Sequence, residues 1–170
     1  MRYAIGSFLI LTLLLAGCYE TAFVLGKAQD ATVDATLLGT WNFDSLGEAA
    51  DEKAVLTVAR SDAHRYALEW RTIADGKVLK MIGFVTEVKG AKFVHAAIVG
   101  ADGKAAKKHW LIRFDREGDD TLALSNLDGE FLQSKKVDSD ASLKAMIESN
   151  LDNPLLYAPD ALLGRRARSK

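Results

Sequence analysis

The fold of this chain is decided by the stretch HRYALEWRTIADGKVLKMIGFVTEV, residues 64–88. Apolar and polar side chains alternate around the dipeptide Asp75-Gly76, so that Tyr66 and Trp70 share one face of an extended chain. Asp-Gly favours a two-residue turn between antiparallel strands, because both positions of that turn require a positive φ angle. The stretch therefore predicts a β-hairpin, and the same alternation continues on either side of it.

Period-two alternation, interrupted by turn residues, divides most of the chain into eight segments. The predicted strands are residues 38–44, 53–60, 64–73, 78–88, 92–99, 106–114, 120–127 and 130–136. Sequential strands of this kind form an antiparallel meander, and closure of the meander protects its edges best. Eight strands also give the barrel diameter at which side chains fill the interior or leave room for one small ligand. We therefore expect an all-β protein, an eight-stranded antiparallel up-and-down barrel.

The fourth and fifth predicted strands are apolar on both faces, over residues 81–85 and 93–99. A strand with two apolar faces is covered on both of them. A helix predicted over residues 140–151, with Asp138 or Ser139 as its N-cap, offers an apolar stripe at helical spacing. We expect this C-terminal α-helix to pack on the outside of the barrel.

The N-terminus has the features of an export signal. Residues 4–15 form an apolar run that is too short to cross a bilayer core of roughly 30 Å as a helix. A positive start and small residues at the end of such a run are typical of a secretory signal peptide. The run ends in Leu15-Ala16-Gly17-Cys18, which resembles the lipobox of a bacterial lipoprotein precursor.

That resemblance implies that residues 1–17 are a signal peptide and that Cys18 becomes the acylated N-terminus. Cys18 is the only cysteine, so it has no partner for an internal disulfide. Two or more acyl chains, as in the resembled family, anchor a protein stably. In the Gram-negative members, Asp after the cysteine favours retention in the inner membrane. Because Tyr19 follows here, we expect the outer membrane, with the domain facing the periplasm.

The remaining boundaries follow from changes in the pattern. Residues 18–36 lack a clear period and are predicted to be a lipidated, flexible tether. Residues 37–153 comprise the barrel and its helix. Residues 154–170 are predicted to be a basic tail, with four cations in the last six residues. Such a tail is usually solvated, and contact with anionic head groups is the alternative.

The first predicted strand contains Gly39-Thr40-Trp41, which is similar to the Gly-x-Trp signature of lipocalins. Lipocalins share the eight-stranded up-and-down order and a helix after the last strand, so residues 37–151 resemble a lipocalin-like bacterial lipoprotein. In that family an arginine on or after the last strand is the partner of the tryptophan. The predicted eighth strand offers Lys135 and Lys136 instead. The alternative architecture is an open half-barrel like those of lipoprotein-sorting proteins.

Charge and motif spacing exclude several classes of function. The formal charge is −1, and it becomes −2 when residues 1–17, which contain one arginine, are removed, so the chain lacks the basic stripe of a nucleic-acid-binding protein. His64, His95 and His109 do not have the spacing of a helical zinc site. We expect His109 to face solvent, since Lys107 and Arg113 share its strand face, and His95 to be a satisfied, half-buried residue. We predict no catalytic residues, no metal and no cofactor, and hence no enzyme.

Two functional hypotheses remain. In the first, a membrane-anchored periplasmic lipoprotein binds a small apolar ligand, a lipid or fatty acid, inside the barrel. The candidate ligand-binding residues are the inward aromatic side chains, Trp41, Tyr66, Trp70, Phe84, Trp110 and Phe114. In the second, the barrel is filled and the protein is a non-catalytic structural or assembly accessory that binds an envelope protein. The volume of the barrel interior separates the two hypotheses.

Overall fold

The computed structural model describes residues 20–45, 52–159 and 161–167. The predicted signal peptide and the predicted lipidation site Cys18 lie outside the described residues. Within them the strands are β1 (Glu20–Thr21), β2 (Gly39–Phe43), β3 (Ala54–Arg60), β4 (Tyr66–Thr72), β5 (Val78–Val88), β6 (Ala91–Ile98), β7 (His109–Glu117), β8 (Thr121–Asn126) and β9 (Leu162–Arg166). The α-helices are α1 (Gly129–Ser134) and α2 (Asp140–Asn150).

The barrel is closed, as the alternation predicts. Each strand from β2 to β8 pairs antiparallel with the next one, and β9 pairs with both β8 and β2. The result is an eight-stranded antiparallel up-and-down barrel with β1 as an extra strand. Glu20 of β1 lies opposite Trp110, on a part of β7 that β8 does not reach, since the β7–β8 pairing begins at Ile112.

The hairpin around Asp75-Gly76 is present, with a longer turn than predicted. β4 and β5 pair from Arg71 opposite Val78, so five residues connect them. Gly76 has a φ of 66°, whereas Asp75 is not among the residues with positive φ. The Asp75 carboxylate accepts hydrogen bonds from the Thr72 hydroxyl at 2.5 Å and from the Lys77 backbone N–H at 3.1 Å. These side-chain bonds stabilise the wider turn.

The prediction of an eighth strand over residues 130–136 is wrong, because this segment begins with a helix. Asp128 is the N-cap of α1 and accepts a hydrogen bond from the Phe131 backbone N–H at 2.7 Å. The closing strand is β9, which lies in the segment predicted to be a solvated tail, so that prediction is also wrong over Leu162–Arg166. A local sequence pattern carries no information about the free edges of β2 and β8, which both require a partner strand at this point of the sheet.

The closing strand brings an arginine onto the tryptophan of the first barrel strand. Trp41 is fully buried, and its indole N–H donates to the Leu37 carbonyl at 3.0 Å. The guanidinium carbon of Arg166 lies 4.3 Å from the indole ring centroid, and Nη1 donates to the Leu38 carbonyl at 2.9 Å. The expectation that only lysines are available to this tryptophan is therefore wrong, because the last strand lies further along the chain.

One apolar core fills the barrel, and a second lies outside it. Val88, Phe93 and Leu111 alternate with inward-facing residues and point outward, where α1, α2 and the 3-10 turn Pro154–Leu156 cover them. Leu143 and Ile147 of α2 are fully buried in this second core. Burial of such a side chain stabilises the fold by about 1.5–3 kcal/mol relative to an exposed position. The prediction of a helix packed on the outside is confirmed.

The N-terminal segment, residues 22–38 between β1 and β2, also packs on the barrel. Leu25, Val33 and Leu37 are 6–7% exposed, so the prediction of a flexible tether is wrong for residues 20–36. The Asp34 backbone N–H donates to the Tyr66 hydroxyl at 2.6 Å, and the Ala31 carbonyl lies 2.7 Å from Nδ1 of His64. Isolated apolar residues hold this segment in place, and they produce no helical or strand periodicity. No helix in the described ranges is both long and apolar enough to cross a membrane.

Candidate functional site

The barrel interior collects five of the six aromatic residues that the sequence singles out. The inward-facing members are Trp41, Tyr66, Trp70, Trp110 and Phe114. Phe84 faces outward, because Met81 and Val85 of the same strand occupy inward positions and alternate faces follow from the pleat. The expectation that Phe84 contributes to the interior is therefore wrong.

The interior side chains form a packed core. Trp41, Phe43 and Tyr66 are 0%, 1% and 1% exposed. The rings of Phe43 and Trp70 lie 5.0 Å apart in a tilted contact. Of the two cavities described below, one lies on the outer wall, and the other lies at one end of the barrel, where the inward-facing side chains of Val85 and Phe114 contribute to its lining. The inward aromatic residues thus pack against one another and occupy space that an internal ligand would need.

The outer-wall cavity has a volume of about 490 Å³ and lies on the outer face of the barrel. Its floor is apolar and consists of Ile82, Phe84 and Ala97, from β5 and β6. The N-terminal segment forms one side. The connection between β6 and β7 forms the other side with Ala105 and Ala106. The cavity is therefore formed where segments outside the barrel sheet fold back onto its wall.

Three aromatic rings form a cluster beside this cavity. Phe84 and His95 stack with their centroids 4.7 Å apart and their planes at 7°. The ring of His109 meets both of them edge-on, at 6.2 Å from Phe84 and 6.1 Å from His95. The prediction that His109 faces solvent is wrong, since its ring is half-buried in this cluster and lines the cavity.

The histidines of the cluster are incompletely hydrogen-bonded. His95 is fully buried, and its Nε2 lies 3.0 Å from the Thr86 hydroxyl. Nδ1 of His95 and Nδ1 of His109 are both buried, and neither has a hydrogen-bond partner among the described residues. The prediction of a satisfied, half-buried His95 is therefore correct for Nε2 and wrong for Nδ1, and it is wrong about burial, since the residue is 0% exposed.

Both rings are neutral at pH 7. Burial, together with the neighbouring His109, lowers the pKa of His95 to about 3. Burial also lowers the pKa of His109 from 6.5. A neutral imidazole has one donor and one acceptor nitrogen, so the unpaired Nδ1 atom of each ring leaves a hydrogen-bonding capacity unused inside the fold.

The second cavity, at one end of the barrel, has about 390 Å³ and a more polar lining. Asp34 and Lys92 form an ion pair there at 3.4 Å. Hydrogen bonding from the Thr36 hydroxyl, more than the charge of Lys92, lowers the pKa of Asp34. The lining of this end cavity mixes acidic side chains (Asp30, Asp34 and Glu87) with the basic side chains of Lys27 and Lys92, so it favours one sign of ligand charge less clearly than the outer-wall cavity does.

The described ranges also lack the side-chain groupings that metal ions require. They contain no group of three or more His, Cys, Asp or Glu side chains that could hold a metal ion. His64 is separate from the ring cluster, since its Nδ1 contacts the Ala31 carbonyl. Sequence reasoning missed Lys27 and Arg65 at the outer-wall cavity. One sequence signal could have indicated a second covering segment here. Two strands are apolar on both faces, and one helix is too small to cover the outer face of both.

Comparisons of the chain with protein-family models, with curated proteins and with solved structures found no match.

Proposed function

We propose that this protein is a non-catalytic, lipid-anchored accessory protein of the bacterial envelope. It is attached through Cys18 and faces the periplasm from the outer membrane. The lipobox-like run Leu15-Ala16-Gly17-Cys18 supports the anchor. Tyr19 in the following position supports the outer membrane. The domain serves as a rigid scaffold that works through its outer surface.

The close packing of the aromatic side chains inside the barrel is the observation that carries this proposal. A small apolar ligand inside the barrel would have to displace residues such as Trp41 and Phe43, which are at most 1% exposed. Ligand cavities of a usable size measure about 300–1,000 Å³. Two cavities of such a size lie elsewhere among the described residues, at the outer wall and at the barrel end. A role inside the barrel is therefore the weaker of the two hypotheses.

The domain is lipocalin-like in this proposal. The stacked pair of Trp41 and Arg166, 4.3 Å apart, supports the kinship together with the closed up-and-down barrel. Fold kinship does not carry a ligand with it, because function resides in particular sites.

The partner surface that we propose includes Leu155 and Leu163, which are 67% and 56% exposed. Leu163 lies on β9, which closes the barrel, and Arg165 is an exposed cation of the same strand, whereas Leu155 lies in the preceding 3-10 turn Pro154–Leu156. Large exposed apolar side chains beside cations are common at protein interfaces. An envelope protein is the proposed partner.

The anchor is tested by mass spectrometry of the N-terminal peptide of the protein purified from its host. We expect a chain that begins at Cys18 and carries acyl groups on it. An unmodified thiol with residues 1–17 retained would contradict the proposal.

The partner surface is tested by placing a photo-crosslinking amino acid at Leu163 in living cells. We expect one reproducible envelope-protein adduct, which a second substitution, Leu155→Asp, reduces. The matched control places the same crosslinker at Lys144, an exposed position on α2. Identical adducts from both positions, or none from Leu163, would refute the partner surface.

A further inference from the structure

We propose that the outer-wall cavity binds a small carboxylate with an apolar body, as a further site that does not depend on the partner surface. The cavity measures about 490 Å³, within the range of about 300–1,000 Å³ typical of small-molecule sites. The floor of the cavity is the outer face of a closed sheet, so the structure of the barrel does not require a cavity at this position.

The shape and chemistry of the floor select an apolar body. Ile82 and Phe84 from β5 and Ala97 from β6 form a continuous apolar surface, and Ala97 is 2% exposed. Val24 and Ala106 contribute apolar surface from the two sides. Transfer of an aliphatic chain from water onto such a surface is favourable by about 0.8 kcal/mol for each buried CH₂ group.

The charges of the lining select an anion. Lys27 and Arg65 line the cavity, and the lining contains no Asp or Glu. Arg65 also lies 3.5 Å from Asp62, but both side chains are close to half-exposed, and such surface pairs contribute little. No ion pair of Lys27 is present among the described residues. The positive charge at this rim therefore remains available to a ligand.

His109 adds a polar side chain to the lining, since its half-buried ring borders the cavity. Its Nδ1 is buried, so contact with a ligand in the cavity falls to Nε2. A neutral imidazole N–H can donate to a carboxylate oxygen. A carboxylate also meets the two cations of the lining, whereas those cations repel a cationic ligand of the same shape.

Titration calorimetry with two probes of opposite charge tests the site. The full-length anchored protein is held in nanodiscs of phosphatidylcholine, and the heat of probe binding to empty nanodiscs is subtracted. We expect octanoate to bind saturably at one site at pH 7, at least about tenfold more tightly than octylammonium, a difference of about 1.4 kcal/mol. Equal affinity for the two probes, or no saturable heat with octanoate, would overturn the proposal.

Two sets of variants locate the binding. Ala106→Trp places an indole at the cavity and is expected to abolish octanoate binding. Its control Ala101→Trp lies in the same connection but outside the lining and is expected to bind normally. Octanoate affinity that persists in Ala106→Trp would place the binding elsewhere and refute the site.

The charge variants decide the question even if Ala106→Trp fails to fold. Lys27→Gln combined with Arg65→Gln changes two exposed side chains and is expected to weaken octanoate binding about tenfold. The control, Arg60→Gln combined with Lys104→Gln, removes the same charge outside the lining and is expected to bind as the native protein does. Equal weakening in both pairs would overturn the proposal, since it would mean attraction by overall charge only.

The natural occupant is distinguished by extraction. Organic extracts of the protein purified from its host are compared with extracts of Ala106→Trp, or of the double charge variant. We expect a free carboxylic acid that is enriched only in the native extract. Enrichment of a phospholipid without any free acid would assign the cavity to a membrane lipid and refute a free carboxylate. This outcome is independent of the partner surface at Leu163.

Discussion

Gly164 shows how one residue controls barrel closure. It lies in β9 opposite Phe43 of β2, and a Cβ atom at this position would lie 2.6 Å from Cζ of the Phe43 ring. Phe43 is 1% exposed, so its ring has little room to move. The glycine therefore lets the last strand approach the first one across the aromatic ring. In the sequence it is indistinguishable from a turn or tail glycine.

We expect Gly164→Ala to lower the free energy of unfolding by about 1–3 kcal/mol, because it overpacks the barrel seam. Urea unfolding followed by tryptophan fluorescence measures the change. The control is Gly129→Ala at the start of α1, where a Cβ meets nothing within 4 Å. This control is expected to leave stability unchanged or to raise it by about 0.4–1 kcal/mol. Equal losses in both variants would contradict the packing argument.

Arg166 stabilises the barrel seam through the planar shape of its guanidinium group as well as through its charge. The group stacks on Trp41 and donates to the carbonyls of Leu38 and Asp119 at 2.9 and 3.2 Å. Nη2 also donates to the Thr36 carbonyl. A lysine cannot reproduce this fork of donors over an aromatic face.

We therefore expect Arg166→Lys to lower the free energy of unfolding by about 1–3 kcal/mol, from lost charged hydrogen bonds and stacking. Its neighbour Arg165 points outward, so Arg165→Lys is the matched control and is expected to have no effect beyond about 0.5 kcal/mol. Thermal and urea unfolding of the two variants check this. Similar stability of Arg166→Lys and Arg165→Lys would mean that the charge at position 166, and not the shape of the guanidinium group, stabilises the fold.

At the scale of elements, local signals identified strands reliably and the end of the meander poorly. Asp128-Gly129 has the same letters as the Asp75-Gly76 turn, but Asp128 caps α1 and Gly129 does not have a positive φ. The closing strand LLGRR has weak alternation and two arginines. What makes it a strand is pairing with β2 and β8, which lie more than 35 positions away in sequence.

Deletion of residues 160–170 removes β9 and exposes the edges of β2 and β8. We expect the truncated chain to lose its cooperative unfolding transition and to aggregate, because unpaired edges and an opened apolar interior are exposed together. Size-exclusion chromatography and urea unfolding measure both effects. Deletion of residues 168–170 alone leaves β9 intact and serves as the control. A soluble, cooperative chain without β9 would show that the strand is dispensable.

For the whole molecule, the segments that cover the outer wall of the barrel are as important to the fold as the barrel itself. One part of the wall is covered by the helices and another by the N-terminal segment, and between these parts lies fully buried His95. Its pKa of about 3 in the folded state compares with 6.5 in the unfolded chain. Below pH 6.5, His95 binds a proton in the unfolded chain but not in the folded protein. Acid therefore favours unfolding.

Each pH unit between 6.5 and about 3 therefore removes about 1.4 kcal/mol of unfolding free energy through His95 alone. Between pH 6.5 and 5 we expect a loss of about 2 kcal/mol, and the lowered pKa of His109 acts in the same direction. Asp34, whose pKa is lowered from 3.8, loses its stabilising effect only at lower pH. Urea unfolding at several pH values measures the slope.

His95→Gln is expected to remove at least half of this slope, whereas His64→Gln, at an exposed position, is expected to retain it. Each variant is compared with itself across pH, so that a general loss of stability does not affect the result. An unchanged slope in His95→Gln would show that another group titrates with folding.

The sequence by itself determined the fold class, the number of barrel strands, seven strand positions and the outer helix. These features follow from alternation, turns and amphipathic spacing, which act between neighbouring residues. Only the tertiary structure decided which segment closes the barrel, that Phe84 faces outward, that Arg166 lies on Trp41, and that residues 22–38 cover the wall. These outcomes depend on which strand edges, far apart in the sequence, remain unpaired and on which apolar faces remain uncovered. A local sequence pattern contains no information about either. The outer-wall cavity belongs to this second group, since its floor and sides come from segments far apart in the chain.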